Sequence, residues 1–211
     1  MKLNLLLSCG AISMLSACGG SSSGGVSNSD GGPSVVTLGQ LIDRAEAFEN
    51  AIGTTNIDQL GEPTAFASLP ASGTANYIGV AVVGLIQDNG EGVDIATFGA
   101  VGSTTILANF GNQTVTGTAD NFFQIDNPNV EGFDGLTGER ISGSLAYNLS
   151  GFGQNEYIGR FTGSLTPEGQ SALNVDVGGS GAFVGDQGEG FAAEAFEDGN
   201  EAFVGILAIK D

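Results

Sequence analysis

The chain has 211 residues, of which 36 are glycine, and its 24 acidic and five basic side chains give a formal net charge of −19. It contains no histidine, which excludes a Ser-His-Asp triad, a histidine general base and a zinc or haem site built on histidine. So acidic a chain is repelled by nucleic acid and by anionic lipid surfaces. Its charge either attracts a cationic partner or only keeps an exported protein solvated.

The first eighteen residues resemble the start of a bacterial lipoprotein precursor. Lys2 precedes a short apolar run that fits a secretory signal peptide, and a bilayer span would need ~20 apolar residues. The stretch LSAC ends at Cys18 and fits a lipobox, whose cysteine carries the diacylglyceryl group. Cys9 follows a similar stretch, but cleavage there would leave almost no apolar region. We predict a signal peptide over 1–17 and lipidation at Cys18, the alternative being an ordinary signal peptide with an incidental cysteine.

Lipidation would anchor the mature protein to a membrane without spanning it, because two or more acyl chains, palmitate among them, make a stable anchor. Gly19 follows the cysteine where an aspartate would retain an enteric lipoprotein at the inner membrane. By that analogy we expect the outer membrane, at its cell surface or its periplasmic face. Residues 18–34 are rich in glycine and serine and predict a flexible tether with a reach of ~20 Å. With Cys9 removed and Cys18 acylated, no thiol remains for a disulfide or a metal.

The next segment, 35–60, predicts one amphipathic helix of about four turns. Thr37 suits an N-cap and Gly53 suits a C-terminal stop. We expect the helix to pack on the following domain, because its pattern is too short for the repeated heptads of a coiled coil. The apolar residues at helical spacing are Leu38, Leu41, Ile42, Ala45, Phe48 and Ile52.

From about residue 73 the apolar period changes from that of a helix to two, which is typical of β-strands. Many short antiparallel strands with one apolar face make a barrel or a sandwich. The glycines favour a barrel, since glycine beside phenylalanine lets an aromatic ring lie across the neighbouring strand. Eight or nine strands are predicted, at 73–87, 93–100, 104–111, 114–123, 140–151, 157–166, 172–178, 181–185 with 190–196, and 202–209.

The longest interruption of this pattern runs from Ile125 to Glu139 and contains acids, a proline, glycines and one phenylalanine. Loops of this length are often functional, although a disordered hairpin loop would have the same composition. We predict that it is a binding loop. Its candidate contact residues are Asp126, Asn129, Glu131, Phe133 and Asp134.

Four stretches, in this order, resemble the C-terminal barrel domain of transferrin-binding protein B-like lipoproteins: SGTANYIG, ILANFGNQTVTGTADNF, ISGSLAY and GSGAFVGDQGEGFAAEAF. The resemblance covers about 70–211. It implies an eight-stranded antiparallel β-barrel displayed on an outer membrane, and it implies no catalysis. The residues that match the family's closing pattern are fold-makers rather than binding residues, and they are Gly181, Phe183, Gly185, Gly190, Phe191, Phe203 and Gly205.

The members of that family bind host iron carriers, haem proteins or complement regulators, and several reach the cell surface through a dedicated exporter. Full transferrin receptors have two lobes, whereas this chain has room for one barrel and a short helix, so transferrin itself is not predicted. The leading hypothesis is a non-enzymatic, lipid-anchored barrel that binds an extracellular protein or a carried ligand, such as an iron or haem carrier. The alternative is a structural envelope lipoprotein that faces the periplasm. No cofactor is expected.

Three further possibilities rest on single residue types. A paired-carboxylate hydrolase would use the acids near the end of the chain, Glu189, Glu194, Glu197 and Asp198. Such acids in the turns of an acidic protein are usually just solvated. A calcium site is a second possibility, because the stretch Asp88–Asp94 has acids near a glycine turn, but it misses the spacing of an EF-hand loop. Haem can be held by tyrosine, but strand-like neighbours favour packed core side chains for all three, Tyr77, Tyr147 and Tyr157.

Overall fold

A computed structural model describes residues 36–55, 60, 62–88, 94–129, 133, 136–151, 154–197 and 200–211. The predicted signal peptide, Cys18 and the tether lie outside these residues. Helix α1 spans Leu38–Ile52, and a short 3-10 turn spans Phe66–Ser68. The strands are β1 Thr74–Asp88, β2 Asp94–Asn109, β3 Thr114–Ile125, β4 Gly138–Arg140, β5 Ser142–Gly151, β6 Tyr157–Thr166, β7 Leu173–Val184, β8 Gly190–Glu197 and β9 Asn200–Lys210.

Eight of the strands form a closed antiparallel barrel in the order β1-β2-β3-β5-β6-β7-β8-β9, and β9 pairs with β1. The short strand β4 pairs with the end of β3. This confirms the predicted eight-stranded antiparallel β-barrel preceded by one short helix. Among the residues that the structure describes, no helix combines the length and the apolar character needed to cross a membrane.

Two predicted strand breaks are wrong. The segments 93–100 and 104–111 are one strand, β2, and the segments 172–178 and 181–185 are one strand, β7. A Cβ atom added at Gly102 would lie 2.6 Å from the ring of Phe122, and one at Gly179 would lie 2.2 Å from the carbonyl oxygen of Glu194. The glycines therefore mark places where a neighbouring strand comes close and not places where the strand ends.

Side chains from alternate positions fill the interior of the barrel, as the period of two predicted. Tyr147 lies opposite Gly117 in the register of β5 and β3. A Cβ atom on Gly117 would be 2.3 Å from the tyrosine ring, so only glycine leaves room for that ring. The large inward side chains of the two most regular strands are all buried, and they are Leu145, Tyr147, Leu149, Tyr157, Phe161 and Leu165.

Helix α1 begins and ends at the two residues that the sequence indicates. Thr37 accepts a hydrogen bond from the backbone N–H of Gln40, whose side chain accepts one from the backbone N–H of Thr37. This capping box satisfies two N–H groups that the first turn leaves unpaired. At the other end, Gly53 has a φ of 99° and donates its N–H to the carbonyl of Glu49.

The helix packs on the outer wall of the barrel. Leu41, Ala45 and Phe48 are completely buried. Burying a leucine or phenylalanine side chain contributes ~1.5–3 kcal/mol, so this stripe is enough to hold the helix on the sheet. The wall residues of the same apolar cluster are Val80, Val101, Val184, Ala192 and Leu207.

The two ends of the barrel differ. At one end, called here the entry end, the chain enters β1 and β9 finishes; at the other, called the loop end, lie the β1–β2, β3–β4, β6–β7 and β8–β9 connections. Val36, just before α1, accepts a hydrogen bond from Arg140 at the loop end. Ile52, at the last turn, lies beside Gly190 at the entry end. The helix therefore runs from the loop end to the entry end.

The segment before β1 closes the entry end. Leu69 joins the interior apolar cluster around Phe183. Asn155 is 2% exposed, and its side-chain amide donates to the carbonyls of Thr64 and Phe183, each at 2.8 Å, while its Oδ1 accepts from Phe183 N at 2.9 Å. Thr64 also donates its backbone N–H to Phe183 at 2.9 Å. These bonds attach the segment to the barrel rim.

Candidate functional site

The predicted binding loop joins β3 to β4 at the loop end. Asp126 is exposed, and its backbone N–H donates to the carbonyl of Thr137 at 3.0 Å, which closes the base of the loop. Glu131 and Asp134 lie outside the described residues. Phe133 is only 8% exposed and belongs to the apolar cluster beneath α1. Direct contact of Phe133 with a partner is therefore not supported, because the ring is used to hold the loop on the barrel.

Asn129 attaches the same loop to β2. The pairing of β2 with β3 extends only as far as Ala100, so residues 94–99 have no β3 partner. The Asn129 side chain accepts from the N–H of Ala96 at 2.9 Å and donates to its carbonyl at 3.0 Å, as a neighbouring strand would. Pro128 packs over Gly99, where an added Cβ atom would come within 2.8 Å of the proline Cβ. The loop thus covers β2 at Ala96 and Gly99, in the part of the strand that extends beyond β3.

Arg140 fixes the other end of the loop. Its guanidinium donates to Asn121 Oδ1 at 3.0 Å and to the carbonyl of Val36, and it lies 4.6 Å from the centre of the Phe123 ring. Arg44 similarly links α1 to β2 through a 2.5 Å hydrogen bond to Ser103 Oγ. The sequence reading did not single out either arginine. The sequence could have pointed to both arginines, because the chain has only five basic residues against 24 acidic ones.

The loop end is strongly acidic. Asp126, Glu139 and Glu168 are exposed there, and the sequences of its four connections contain no basic residue, although Arg140 lies nearby in β4. Further acids occur in the sequence that joins the same strands, and they are Glu91, Glu131, Asp134 and Asp198. Such a surface concentrates cations and repels anions over roughly one Debye length, ~8 Å at physiological salt.

The three tyrosines are packed core side chains, as their strand-like neighbours favoured. Tyr77 donates to the carbonyl of Gly188 at 2.8 Å, and the Tyr147 hydroxyl is 2.6 Å from Thr104 Oγ1. Burial raises the pKa of Tyr77 to about 12 and raises the pKa values of Tyr147 and Tyr157. A tyrosinate ligand for haem needs the opposite environment, one that is accessible and stabilises the anion.

Of the acids near the end of the chain, Glu189 has a described environment that does not suit a general acid. The backbone N–H of Gln187 donates to the Glu189 carboxylate at 2.9 Å and lowers the pKa of that exposed group. A general acid of a glycoside hydrolase needs a raised pKa. The side chains of Glu197 and Asp198 lie outside the described residues, as does most of the stretch Asp88–Asp94. No group of three or more acids, cysteines or histidines in the described part of the chain is placed to hold a metal.

These features define a small closed antiparallel barrel with a filled interior, one helix-covered wall and one acidic loop fastened to the rim. No family model matches the sequence, and no curated protein matches it. Solved structures similar to this chain include proteins of the family named above from the sequence.

A mutant of transferrin binding protein B from Haemophilus parasuis is 17% identical, with a TM-score of 0.47, over 72% of this chain and 29% of its own. A surface lipoprotein is 14% identical, with a TM-score of 0.44, over 72% of this chain and 66% of its own. The N-lobe domain of lactoferrin binding protein B of Moraxella bovis is 15% identical, with a TM-score of 0.37, over 72% of this chain and 62% of its own. This chain therefore spans less than a third of the length of the first of them.

Proposed function

We propose that the protein is a lipid-anchored outer-membrane lipoprotein whose barrel binds a partner protein, or the ligand such a protein carries, without catalysis. The observation that carries this proposal is the fastening of the β3–β4 loop by Asn129, Phe133 and Arg140. A loop held in place before binding loses less conformational entropy when it binds. Because the described interior of the barrel is filled by side chains, a ligand of any size would bind on the outside.

The chemistry of the loop end favours a cationic surface on the partner. In this proposal the acids Asp126, Glu131 and Asp134 contact the partner, and Asn129 and Phe133 hold the loop in position. Opposite charges on two surfaces raise the association rate, and that rate falls as salt is added. A secreted protein that carries iron or haem and has a basic patch would be one such partner.

The membrane side of the proposal rests on the lipobox. Lipidated Cys18 would hold the barrel by the 18–34 tether, on the surface or the periplasmic face of the outer membrane. An epitope tag added after Asp211 tests which face is correct, because that residue is exposed at the entry end, opposite the loop end. Antibody labelling of intact cells is expected, and a Cys18→Ala variant should lose membrane attachment. Labelling only after permeabilisation would overturn surface display and support a structural envelope role.

The binding site is tested by capture of partners from the natural surroundings of the cells. The variant D126N/E131Q/D134N removes three acids from the loop. Its matched control, E62Q/E156Q/D186N, removes three acids that are exposed at the entry end. We expect the loop variant to capture at least about tenfold less partner, in keeping with ~1.4 kcal/mol, while the control captures as much as the wild type. Equal loss in both variants would show that net charge alone, and not the loop, determines binding.

A further inference from the structure

One edge of the barrel wall has no described partner. Strand β7 pairs with β6 from Leu173 to Gly181, but its pairing with β8 begins only at Gly179. Among the described residues, Leu173–Gly178 are therefore paired on the β6 side alone. At ~3.4 Å per residue they form about 20 Å of strand to which no described strand is paired on the β8 side.

Strand β2 shows how such an edge can be covered. Residues 94–99 of β2 also extend beyond their neighbouring strand, and there Asn129 and Pro128 cover the edge. For Leu173–Gly178, no residue within the described ranges supplies such a cover from the β8 side. Among the described residues, the side chain that bonds to this backbone is that of Arg160 on β6, which donates to the carbonyl of Asp176 at 3.1 Å.

The edge also lacks the features by which proteins usually block strand addition. Residues 173–178 include no proline and no lysine. Their one charge, Asp176, is paired with Arg160 at 2.6 Å. Val175 and Val177 point into the core, whereas Asn174, Asp176 and Gly178 are exposed, so the backbone keeps a regular alternation. Residues 173–178 themselves therefore present no proline, no lysine and no unpaired charge to a second strand.

We infer that Leu173–Gly178 is a strand-addition site for an extended, lysine- or arginine-bearing segment of a partner protein. Backbone hydrogen bonds along the edge would supply the affinity, as in other complexes in which a peptide extends a sheet. The surrounding charge selects the basic segment. Glu168 is exposed in the β6–β7 turn, and the chain as a whole has a formal net charge of −19. This inference rests on the proposed binding function but uses a surface other than the β3–β4 loop.

The test measures amide hydrogen exchange by NMR on the mature protein without its lipid. The probe is a synthetic eight-residue peptide of alternating lysine and valine with blocked ends. In the free protein, alternate amides of 173–178 are expected to exchange at least about tenfold faster than those of 179–184. Saturating peptide should slow the fast set at least about tenfold, while the amide of Ala96 should not respond because it already donates to the Asn129 side chain.

Three controls separate strand pairing from other effects. A peptide of the same sequence with alternate backbone nitrogens methylated keeps the charge but loses the hydrogen bonds, and it should give no protection. The variant N174K/G178K places two lysines on the edge, where an added Cβ at Gly178 lies 3.9 Å from its nearest neighbour, and it should abolish binding of the basic peptide. An Asn129→Ala variant should uncover the β2 edge and create a second protected stretch around Ala96.

Protection by the methylated peptide, or no protection by the unmodified one, would overturn the inference. Protection that grows with protein concentration alone, together with dimers in light scattering, would assign the edge to a second copy of this chain instead. The proposed function is tested separately, because surface labelling and loop-dependent capture do not involve this edge. If those two fail while the edge amides still gain protection, the proposed function fails and the strand-addition site stands.

Discussion

Replacement of Asn155 by alanine is expected to destabilise the protein by about 3 kcal/mol, of which about 2 kcal/mol comes from the hydrogen bonds of this buried amide and about 1 kcal/mol from the backbone conformation. The carbonyl of Phe183 would keep the N–H of Thr64, but the N–H of Phe183 and the carbonyl of Thr64 would both lose their side-chain partner. A buried donor left without a partner costs ~1–3 kcal/mol, and a lost hydrogen bond ~1 kcal/mol. For a protein of this size, about 3 kcal/mol lowers the melting temperature by ~6–12 °C.

A glycine at the same position separates the contribution of the hydrogen bonds to stability from that of the backbone conformation. Asn155 has a φ of 59°, in the left-handed region, where alanine costs ~1–2 kcal/mol and glycine does not. Asn155→Gly should therefore lose about 1 kcal/mol less than Asn155→Ala. Urea unfolding of the mature protein, followed by far-ultraviolet circular dichroism, measures both. If Asn155→Ala unfolds within about 1 kcal/mol of the wild type, the assignment of stability to these bonds is refuted.

Three other perturbations have expected outcomes. Phe48→Ala removes a fully buried ring and should cost ~3–5 kcal/mol in urea unfolding, whereas the exposed control Glu46→Ala should stay within ~0.5 kcal/mol. Gly117→Ala places a methyl group 2.3 Å from the Tyr147 ring and should cost ~1–3 kcal/mol or more, with a changed near-ultraviolet tyrosine spectrum; an unchanged spectrum and stability would contradict the close packing. The free energy of unfolding should fall as pH rises from ~10 to about 12. Burial, and then the charges of Tyr157 and Glu189, raise the pKa of Tyr77 in the folded protein to about 12. Tyrosine in the unfolded chain loses its proton near ~10, so the unfolded state is favoured in between. Tyr77→Phe should flatten that fall in urea titrations across this pH range, and an equally steep fall would count against the assignment.

Local signals predicted the helix and most of the strands. Thr37 and Gly53 bound α1 because capping depends on neighbours within one turn, which the sequence displays directly. The alternation in β5 and β6 was equally direct. Gly102 and Gly179 misled the strand boundaries, because the sequence does not reveal whether a glycine turns the chain or admits a close neighbour.

The candidate loop could be located from the sequence, but the roles of its residues could not. Phe133 was grouped with the contact residues, since nothing local shows that α1, some eighty positions earlier, belongs to the cluster that buries it. Asn129 bonds to Ala96 and Asn155 to Thr64, in each case across long stretches of sequence. Such pairings arise only when the barrel brings distant segments together, so a single sequence contains no local pattern for them.

The contact between the first and last strands sets the time at which the barrel is completed. Tyr77 is opposite Lys210, and the N–H of Asp211 donates to the carbonyl of Asn76 at 3.0 Å. Because β9 follows every other barrel strand along the chain, the barrel cannot close during synthesis until β9 has been made. A premature stop before β9 would leave β1 and β8 each with an open edge, ready to aggregate. Until that point the growing chain remains an unclosed sheet that a translocation channel or a chaperone can still unravel.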